Sequence, residues 1–477
     1  MPPPCPSTLG FMSDSESSAL ELAFKASREY LQALDERSVA PTVSAAELRS
    51  KLDCPLAEKG TAAEVVIREL LEHAGPGVMA SASGRFFAWV IGGTLPSALA
   101  ADWLTSAWDQ NGVLYVSAPS ASVGEEVAGR WLKEILGLPS NASFGFTTGC
   151  EMAHVTCLAA ARHALLRKIG WNVEEQGLSG APRIRILSSS EYHGSLLRAL
   201  RLLGLGTNSV ERLPTNDAGQ VDFAELALRL EVQPSSPTIL VLQAGDINMG
   251  AFDDFAEAIP EARKHAHVWV HVDGAFGLWA NATPTHRHLT VGVELADSWA
   301  TDGHKWLNVP YDCGYAFVGD AEAHRAAMSL SAPYLTQGTG NRDALDWTPE
   351  WSRRCRGFAT YAAIRELGRN GISEMITRCC AQCEEMVDKL ATLPGVEILV
   401  RPVLNQALVR FLDPIGTDHD TQTQAVVEFV NQSGEAFFST TVWRGHYCMR
   451  ISVCNWRTSG ADIERAVSAF SRILESR

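Results

Sequence analysis

Four apolar segments of the sequence are each followed within a few residues by titratable side chains. His193 follows "RIRILSSS", Asp246 follows "TILVLQAG", Asp273 follows "VWVHV", and His304 and Lys305 follow "ADSWAT". Short apolar strands that alternate with helices indicate a parallel sheet covered on both faces. The carboxyl ends of such strands meet at one edge, where ligands bind. We therefore expect an acid, an imidazole and an amine to lie together there.

Each of these side chains also has an ordinary structural explanation when it is taken alone. A lysine beside Trp306 is commonly a surface cation whose stem covers apolar surface. Asp273 could cap a turn, and His193 could be a hydrogen-bonded core histidine. Their occurrence together at strand ends favours a functional site over three unrelated structural roles.

A fifth segment, "FTTGCEMAHV", places small and hydroxyl-bearing residues immediately before a long helix. Thr147, Thr148, Gly149 and Cys150 precede or begin it, and free backbone N–H groups at a helix start bind anions, aided by the helix dipole. The ordinary alternative is an N-cap by a threonine, with Glu151 complementing the dipole. At an edge that also holds a lysine and an aspartate, the segment indicates a cofactor that carries a phosphate.

A phosphate cradle, a lysine and an aspartate together fit pyridoxal phosphate. The Lys305 amine could form a Schiff base with the cofactor aldehyde. The Asp273 carboxylate beside the pyridine nitrogen would keep it protonated, so that the ring can accept the electron pair left at Cα. The imidazole of His193 could stack on one ring face, with Ala275 on the other. No metal is predicted, because no second CxxC or histidine pair accompanies the CxxC of Cys380 and Cys383.

These motifs resemble the group II pyridoxal-phosphate decarboxylases, the family of aromatic-L-amino-acid, tyrosine, glutamate and histidine decarboxylases. The matching segments occur in family order from about residue 84 onward: "GRFFAWVIGGTLPSALAADWL", "FTTGCEMA", "SSSEYHGSLLRALRLLGLG", "HVDGAFG", "DGHKWLNVPYDCG", "SRRCRGFATYAAIRELGRNG" and "NQALVRF". The pair formed by "HVDGAFG" and the lysine of "HKW" is the most specific part, since the single short motifs are weak alone.

The resemblance implies a role for each matching residue. Lys305 is implied to be the Schiff-base lysine and Asp273 the partner of the pyridine nitrogen. His193 is implied to stack on the ring and is open to a role in proton transfer, and Ala275 packs on the opposite face. The implied phosphate contacts are Thr148, Gly149 and Cys150, with His304 nearby. Such enzymes are homodimers of fold type I whose active sites lie at the subunit interface.

The pattern of elements predicts an α/β protein with three parts. Residues 1–95 are expected to form a disordered lead-in and a helical dimerisation arm. Residues 96–371 form a large pyridoxal-phosphate domain with a mainly parallel sheet of the seven-stranded type. Residues 372–477 form a small α+β domain.

Composition narrows the partners and the location. The net charge is -15, from 40 basic and 55 acidic residues, and no basic block stands out, so nucleic acid and anionic membranes are poor candidates. No apolar run approaches the roughly 20 residues of a spanning helix, and the N-terminus lacks the features of a signal peptide. Eleven cysteines without a secretion signal indicate reduced thiols. We therefore expect a cytoplasmic protein that binds a small amino-acid substrate.

The segment "RFFAWVIGG" stands where the family builds part of its substrate pocket. The candidate substrate contacts are Trp89, Ile91 and Gly92, with Val113 and Tyr115 reaching in from the partner chain. Core burial is an equally good explanation for Phe86, Phe87 and Trp89. If these aromatic side chains do face the pocket, an aromatic or apolar amino acid is favoured over glutamate.

Three departures from the family pattern bear on the reaction. The family's mobile loop carries a tyrosine that reprotonates Cα, whereas here Tyr334 is followed by no tyrosine before Tyr361. Asp246 replaces a threonine common in relatives, and it could lie near Asp273 and the cofactor ring. Asp302 stands near the phosphate, where a side chain with a donor is common. The first departure leaves an alternative open: an aldehyde synthase, a transaminase or another Cα-bond lyase. A non-catalytic scaffold is disfavoured by the intact site residues.

Overall fold

The computed structural model describes residues 14–330 and 340–475. The predicted lead-in at residues 1–13 and the loop residue Tyr334 therefore lie outside the described residues. Within the described ranges, no helix combines the length and the apolar content needed to cross a bilayer.

A seven-stranded sheet forms the centre of the large domain. Its strands are β1 (Ser143–Thr147), β2 (Arg185–Ser189), β3 (Val210–Leu213), β4 (Thr238–Gln243), β5 (Val268–Asp273), β6 (Ser298–Asp302) and β7 (Gly314–Val318). Their order across the sheet is β1-β7-β6-β5-β4-β2-β3, and β7 alone runs antiparallel to its two neighbours. The carboxyl ends of β1 to β6 consequently share one edge. The prediction of a mainly parallel seven-stranded sheet is confirmed.

Helices cover both faces of this sheet and build the remaining parts. They are α1 (Asp14–Gln32), α2 (Ala45–Leu52), α3 (Ala63–Ala74), α4 (Pro96–Trp108), α5 (Pro119–Ile135), α6 (Cys150–Lys168), α7 (Val173–Gln176), α8 (Gly194–Leu202), α9 (Phe223–Val232), α10 (Phe255–Ala262), α11 (Ala321–Met328), α12 (Gly357–Ala391), α13 (His419–Ser433) and α14 (Gly460–Glu475).

The strands are apolar on both faces because two separate cores lie against the sheet. In β4, the side chains of Ile239 and Val241 pack into a core formed with α6 and α8 on one face of the sheet. Those of Leu240 and Leu242 pack into the larger core on the opposite face. Such double burial produces the continuous apolar runs from which the strands were predicted. The first turn of α6 begins directly after β1, which brings its N-terminus to the edge that holds the strand ends.

The small domain is built on a second, antiparallel sheet. Its strands are β8 (Val396–Val400), β9 (Gln406–Phe411), β10 (Ser439–Trp443) and β11 (His446–Ser452), in the order β10-β11-β9-β8. The segment before α4 attaches to this domain: the Phe87 N–H donates to the Phe437 carbonyl at 2.8 Å. Phe86 stacks on Phe437 and Phe87 on Phe438, at centroid distances of 5.6 and 5.2 Å. Core burial, one of the two explanations offered for Phe86 and Phe87, is what the structure shows.

The predicted boundary between the large and small domains falls inside α12. That helix contains one residue with non-helical geometry, Gly368, whose φ is 60°. The left-handed region is one that glycine adopts without a steric penalty. The break therefore lies three residues before the predicted limit at residue 371, and the domain limits themselves stay a prediction.

Candidate active site

Lys305 lies in the turn after β6, with most of its side chain covered by protein. Its Nζ is 3.1 Å from Asp302 Oδ2 and 5.8 Å from the centre of the Phe276 ring. Burial by itself lowers the pKa of Lys305, but the acidic groups around it, with Asp302 the foremost, together outweigh this effect and hold that pKa above its ordinary value. The amine is therefore protonated near pH 7.

The other oxygen of Asp302 is bound to the start of α6. Asp302 Oδ1 accepts the backbone N–H of Cys150 at 2.6 Å. The N-cap residue of the helix is Gly149, which has no side chain that could accept this bond. A Cβ built on Gly149 would lie 3.6 Å from both Asp302 Oδ1 and His304 Cε1. The start of α6 therefore lies beside Asp302 and His304, where a carboxylate accepts one of its N–H groups, and its role as a phosphate cradle stays a prediction. Thr148 precedes it in the same turn.

His304 forms the side of this cradle that faces the turn before β7. Its Nδ1–H donates to the Cys313 carbonyl at 2.9 Å, its Nε2 is 3.6 Å from Asp302 Oδ1, and its ring stacks on Tyr311 at 4.3 Å. Burial lowers the pKa of His304. The ring is thus neutral near pH 7, with the unprotonated Nε2 turned toward the cradle.

Asp273 ends β5 on the neighbouring strand and is almost fully buried. Its Oδ2 is 3.4 Å from His154 Nε2, and its Oδ1 accepts the N–H of Ala275 at 3.2 Å. Burial alone raises the pKa of Asp273, but the His154 imidazole, His193 and the Ala275 N–H together outweigh it and bring that pKa well below its usual range. The site therefore contains a buried, ionised carboxylate on the strand next to the one that ends at Lys305. The Ala275 carbonyl accepts the N–H of Asp302 at 3.1 Å and so joins the two strand ends.

His193 stands at the N-cap of α8, after β2. Its Nδ1 accepts the Ser195 N–H at 3.2 Å and lies 2.8 Å from Ser195 Oγ. Loss of hydration lowers the pKa of His193, and the charges of Asp273 and Lys305 both act on it. The imidazole is therefore neutral near pH 7 and borders the same edge as the aspartate and the lysine.

Asp246 has contacts that the sequence did not predict. Its Oδ1 accepts the N–H groups of Asn248 and Met249 at 2.8 and 2.9 Å, and its Oδ2 accepts that of Ala251 at 2.7 Å. These bonds hold the turn after β4. Within the described residues, no hydrogen bond or ion pair joins Asp246 to the aspartate of β5 or to the lysine, so its contact with the cofactor stays a prediction.

Among the predicted substrate contacts, Gly92 lies against the turn that carries Lys305 in the same chain. Its N–H donates to the His304 carbonyl at 3.1 Å, and a Cβ at this position would come within 2.1 Å of the Lys305 carbonyl oxygen. Only glycine permits this approach, so the residue positions the segment against the lysine turn.

The remaining candidates lie elsewhere in the chain. Trp89 is half-exposed and lines a cleft of about 640 Å³ with residues of the small domain, and Ile91 packs against the Phe86 cluster. The Val113 carbonyl accepts the Leu345 N–H at 3.2 Å, and the Tyr115 N–H donates to Asp343 at 2.7 Å. Among the described contacts none links these four side chains to the lysine, and their role as substrate contacts stays a prediction.

Two groups of site residues were missed in the sequence. Arg450 on β11 is buried, its Nη2 donates to Gln406 Oε1 at 2.9 Å, and its charge acts on His193. Burial lowers the pKa of Arg450 to about 10. His154 and His271 are fully buried and lie behind the aspartate. The available signal was a basic side chain within each of the largely apolar segments "CMRISVC", "EMAHVTC" and "VWVHV".

The residues at this edge fit pyridoxal phosphate. The site offers an amine on one strand end, a buried ionised carboxylate on the next, a neutral imidazole beside them and backbone N–H groups at a 19-residue helix. Groups of these kinds suit the cofactor's aldehyde, ring nitrogen, ring face and phosphate, and the individual contacts stay predictions. Fold and site together define a pyridoxal-phosphate enzyme of fold type I.

Comparison with known proteins identifies the family within this class. Residues 46–411 match the family model described as the pyridoxal-dependent decarboxylase conserved domain. The match covers most of the chain, which therefore belongs to this family. It is a pyridoxal-phosphate-dependent amino-acid decarboxylase, as the sequence motifs predicted.

Individual relatives agree with this assignment. The chain is 27% identical to tryptophan decarboxylase 1 of Oryza sativa subsp. japonica, covering 92% of this chain and 90% of the relative. It is also 27% identical to the 4-hydroxyphenylacetaldehyde synthase of Rhodiola rosea, over 86% and 85% of the two chains. The solved structure of Oryza sativa TDC with PLP and tryptamine superposes with a TM-score of 0.90 at 23% identity, covering 98% of this chain and 99% of that one, which confirms the fold.

Proposed function

We propose that this decarboxylase converts an aromatic L-amino acid to its amine and carbon dioxide, with Lys305, Asp273 and His193 as its central residues. The observation that carries the site assignment is the placement of the covered Lys305 amine and the buried, ionised Asp273 after neighbouring strands at one sheet edge, where the charge of Asp273 acts on the lysine. The aromatic substrate is supported by the two relatives named above, whose names denote the amino acid tryptophan and an aromatic aldehyde.

Lys305 and Asp302 control the proton that the lysine amine must lose before it can react. The lysine must lose a proton before its amine is a nucleophile, and Asp302 Oδ2, 3.1 Å from Nζ, stabilises the protonated amine in the resting site. When bound, pyridoxal phosphate supplies an electron sink for the pair left at Cα after carbon dioxide departs. Thr148, Gly149 and Cys150 would hold the phosphate through the start of α6.

Asp273 and His193 act on opposite parts of the bound group. The carboxylate is ionised and buried, so it favours a positive charge placed beside it, which on this assignment is the protonated ring nitrogen. His193 is neutral and can cover one ring face while Ala275 packs on the other. A neutral imidazole with a free ring nitrogen can also hold or return the proton at Cα.

We further propose a cytoplasmic homodimer with active sites shared between subunits. The N-terminal helices expose apolar side chains that a second copy could cover: on α1 and α3 these are Leu20, Phe24, Val65, Val66, Leu70 and Leu71. A partner chain could also bring Val113 and Tyr115 to the other subunit's site. The ten cysteines among the described residues are all free, which supports a reducing compartment.

Aldehyde formation is the second candidate. It is supported by the similarity to the Rhodiola rosea synthase and by the absence of any tyrosine in the sequence between residues 334 and 361. Without a tyrosine to reprotonate Cα, the carbanion left after decarboxylation is more exposed to dioxygen. The products would then be an aldehyde, ammonia and hydrogen peroxide in place of the amine.

A substrate screen tests both candidates. Purified holoenzyme is incubated with each common amino acid, and carbon dioxide, amine, aldehyde and peroxide are quantified. We expect an aromatic amino acid to turn over fastest, with amine equal to carbon dioxide. Activity confined to glutamate would refute the aromatic assignment, and aldehyde with stoichiometric peroxide would establish the second candidate.

Removing the charge of Asp302 is expected to speed cofactor attachment. Asp302→Asn keeps an oxygen for the Cys150 N–H but removes the anion that raises the pKa of Lys305. That pKa then falls, so more of the amine is neutral near pH 7.5, and a negative charge no longer opposes the phosphate. We expect attachment to be faster by on the order of tenfold, with its pH profile displaced toward lower pH.

The rate is followed by the visible absorbance that appears after pyridoxal phosphate is mixed with apoenzyme at pH 6.5 to 9. The exposed N-cap residue of α11, as Asp320→Asn, is the control for a general loss of negative charge. A profile displaced toward higher pH in the Asp302 variant would show that this carboxylate assists deprotonation more than it stabilises the ammonium.

A further inference from the structure

Two fully buried histidines lie behind the aspartate of the site, and the reaction proposed above does not use them. His154 stands on the first turns of α6 and His271 on β5, and the His154 Nδ1 is 2.9 Å from the His271 Nε2. The His271 Nδ1 is 2.9 Å from Ser298 Oγ on β6. On the other side, His154 Nε2 is 3.4 Å from Asp273 Oδ2. A continuous row of polar atoms therefore leads from Ser298 to the carboxylate.

The direction of the hydrogen bonds in this row is set at its far end. The indole N–H of Trp269 can only donate, and it donates to Ser298 Oγ at 2.9 Å. The serine hydroxyl thus accepts from Trp269 and has its own proton to donate onward. Its neighbours are the ring nitrogen of His271 and the Cys157 sulfur, and sulfur is the weaker acceptor. The Ser298 hydroxyl therefore donates its hydrogen bond to His271 Nδ1.

The two histidine rings continue this donor-to-acceptor order as far as the Asp273 carboxylate. Burial lowers the pKa of His271 to about 3, so its ring is neutral near pH 7 and has a single N–H. With Nδ1 accepting from the serine, that N–H is on Nε2 and donates to His154 Nδ1. His154 then carries its own proton on Nε2, which lies 3.4 Å from Asp273 Oδ2 and 3.6 Å from the Cys150 sulfur, the weaker acceptor of the two. Every donor and acceptor in the row has a partner without an additional charge.

We propose that His154 is a positioning residue for the reaction: its Nε2–H binds the Asp273 carboxylate, and the Trp269–Ser298–His271 row fixes the tautomer that allows this. The second oxygen of Asp273 accepts the Ala275 N–H, so both oxygens are held and the carboxylate has one orientation. The inference rests on the proposed role of Asp273 toward the ring nitrogen of the cofactor.

Variants at position 154 test whether this bond matters for the cofactor. His154→Leu removes both hydrogen bonds, whereas the amide of His154→Gln can donate to Asp273 and accept from His271. Apoenzyme of each variant is titrated with pyridoxal phosphate, and the affinity and the visible band are recorded. We expect His154→Leu to bind the cofactor about tenfold more weakly or worse, with an altered band, and His154→Gln to recover most of the loss.

The control is a second buried histidine on the same helix. His163 pairs with Glu174 rather than with a site residue, so His163→Leu tests the cost of losing any buried histidine–carboxylate pair. Its cofactor affinity and band are expected to match the wild type. Equal losses in the two leucine variants, or no loss in His154→Leu, would overturn the proposal.

Two further measurements distinguish a failure of the proposed role of His154 from a failure of the proposed role of Asp273. Nitrogen NMR of ¹⁵N-histidine-labelled wild type, assigned with His154→Gln and His271→Gln, should show both rings neutral with the proton on Nε2. A proton on Nδ1 of His154 would overturn the proposal even if His154→Leu fails to fold. Asp273→Asn should impair the cofactor whatever the His154 result is; if it does not, the role of Asp273 fails rather than the role of its histidine.

Discussion

Lys305→Ala is expected to abolish covalent attachment of the cofactor and to reduce kcat by on the order of 10³-fold or more. The Nζ of Lys305 is the amine that stands between the carboxylate at the cradle and the ring of Phe276. Alanine removes it without adding bulk at a position where the lysine backbone already contacts Gly92. The phosphate cradle and Asp273 remain, so non-covalent binding of the cofactor should persist with reduced affinity.

Absorbance, mass and turnover distinguish these effects. The visible band of the attached cofactor should vanish, and reduction with borohydride should add no cofactor mass to the variant, whereas it should fix one cofactor to the wild type. Lys264→Ala removes a solvent-exposed lysine that pairs only with Glu261 on the surface, and it should leave band, mass and kcat unchanged. Borohydride-stable labelling of the Lys305 variant would show that another amine carries the cofactor.

The sequence was informative where the fold produces a local pattern. The strands that end at Asp273 and before Lys305 are buried on both faces, so they appear as unbroken apolar runs. The helix that begins at Cys150 follows a glycine and two threonines. Since parallel strands have a common edge, these local patterns were enough to predict that the lysine, the aspartate and the cradle lie together.

The same reasoning missed elements whose patterns are weak. β3 has the sequence "VERL", in which two charged residues stand between two apolar ones, and the strands β1 and β7, "SFGFT" and "GYAFV", each contain a glycine. β7 is the antiparallel strand between β1 and β6. Its reversed direction leaves no trace in a single sequence, since it depends on how distant segments pair.

The direction in which side chains point could not be predicted from the sequence either. Nothing local in "QAGDINMG" shows that Asp246 binds three N–H groups of its own turn. Likewise, nothing local in "TDGHK" shows that Asp302 contacts both Lys305 and the start of α6. The histidine row behind Asp273 joins α6, β5 and β6, so it exists only after these elements have packed. Contacts of this kind depend on tertiary geometry, as does any pocket that a second subunit completes.

Asp273→Asn is expected to lower kcat by roughly 10²- to 10³-fold while changing KM much less. Asparagine has nearly the same size and can still accept the Ala275 N–H, so the turn after β5 should keep its geometry. What it lacks is the negative charge, which the wild type keeps because the His154 imidazole lowers the pKa of Asp273 despite burial. Without that charge, a proton on the cofactor ring nitrogen loses its counter-ion. The electron pair left at Cα is then less well stabilised, and this effect acts on the transition state more than on substrate binding.

The matched control for this substitution is Asp253→Asn. Asp253 is also buried, and its carboxylate also accepts backbone N–H groups, from Val221 and Gln243 at 2.8 and 2.7 Å. Burial raises the pKa of Asp253 to about 6, in contrast to the lowered pKa of Asp273. Its replacement should cost thermal stability without altering the visible band of the bound cofactor. The Asp273 variant should show the reverse: a changed band, weaker cofactor binding and slow turnover, in a protein that unfolds at nearly the wild-type temperature. Retention of wild-type kcat in Asp273→Asn would mean that the ring nitrogen takes its partner from another residue.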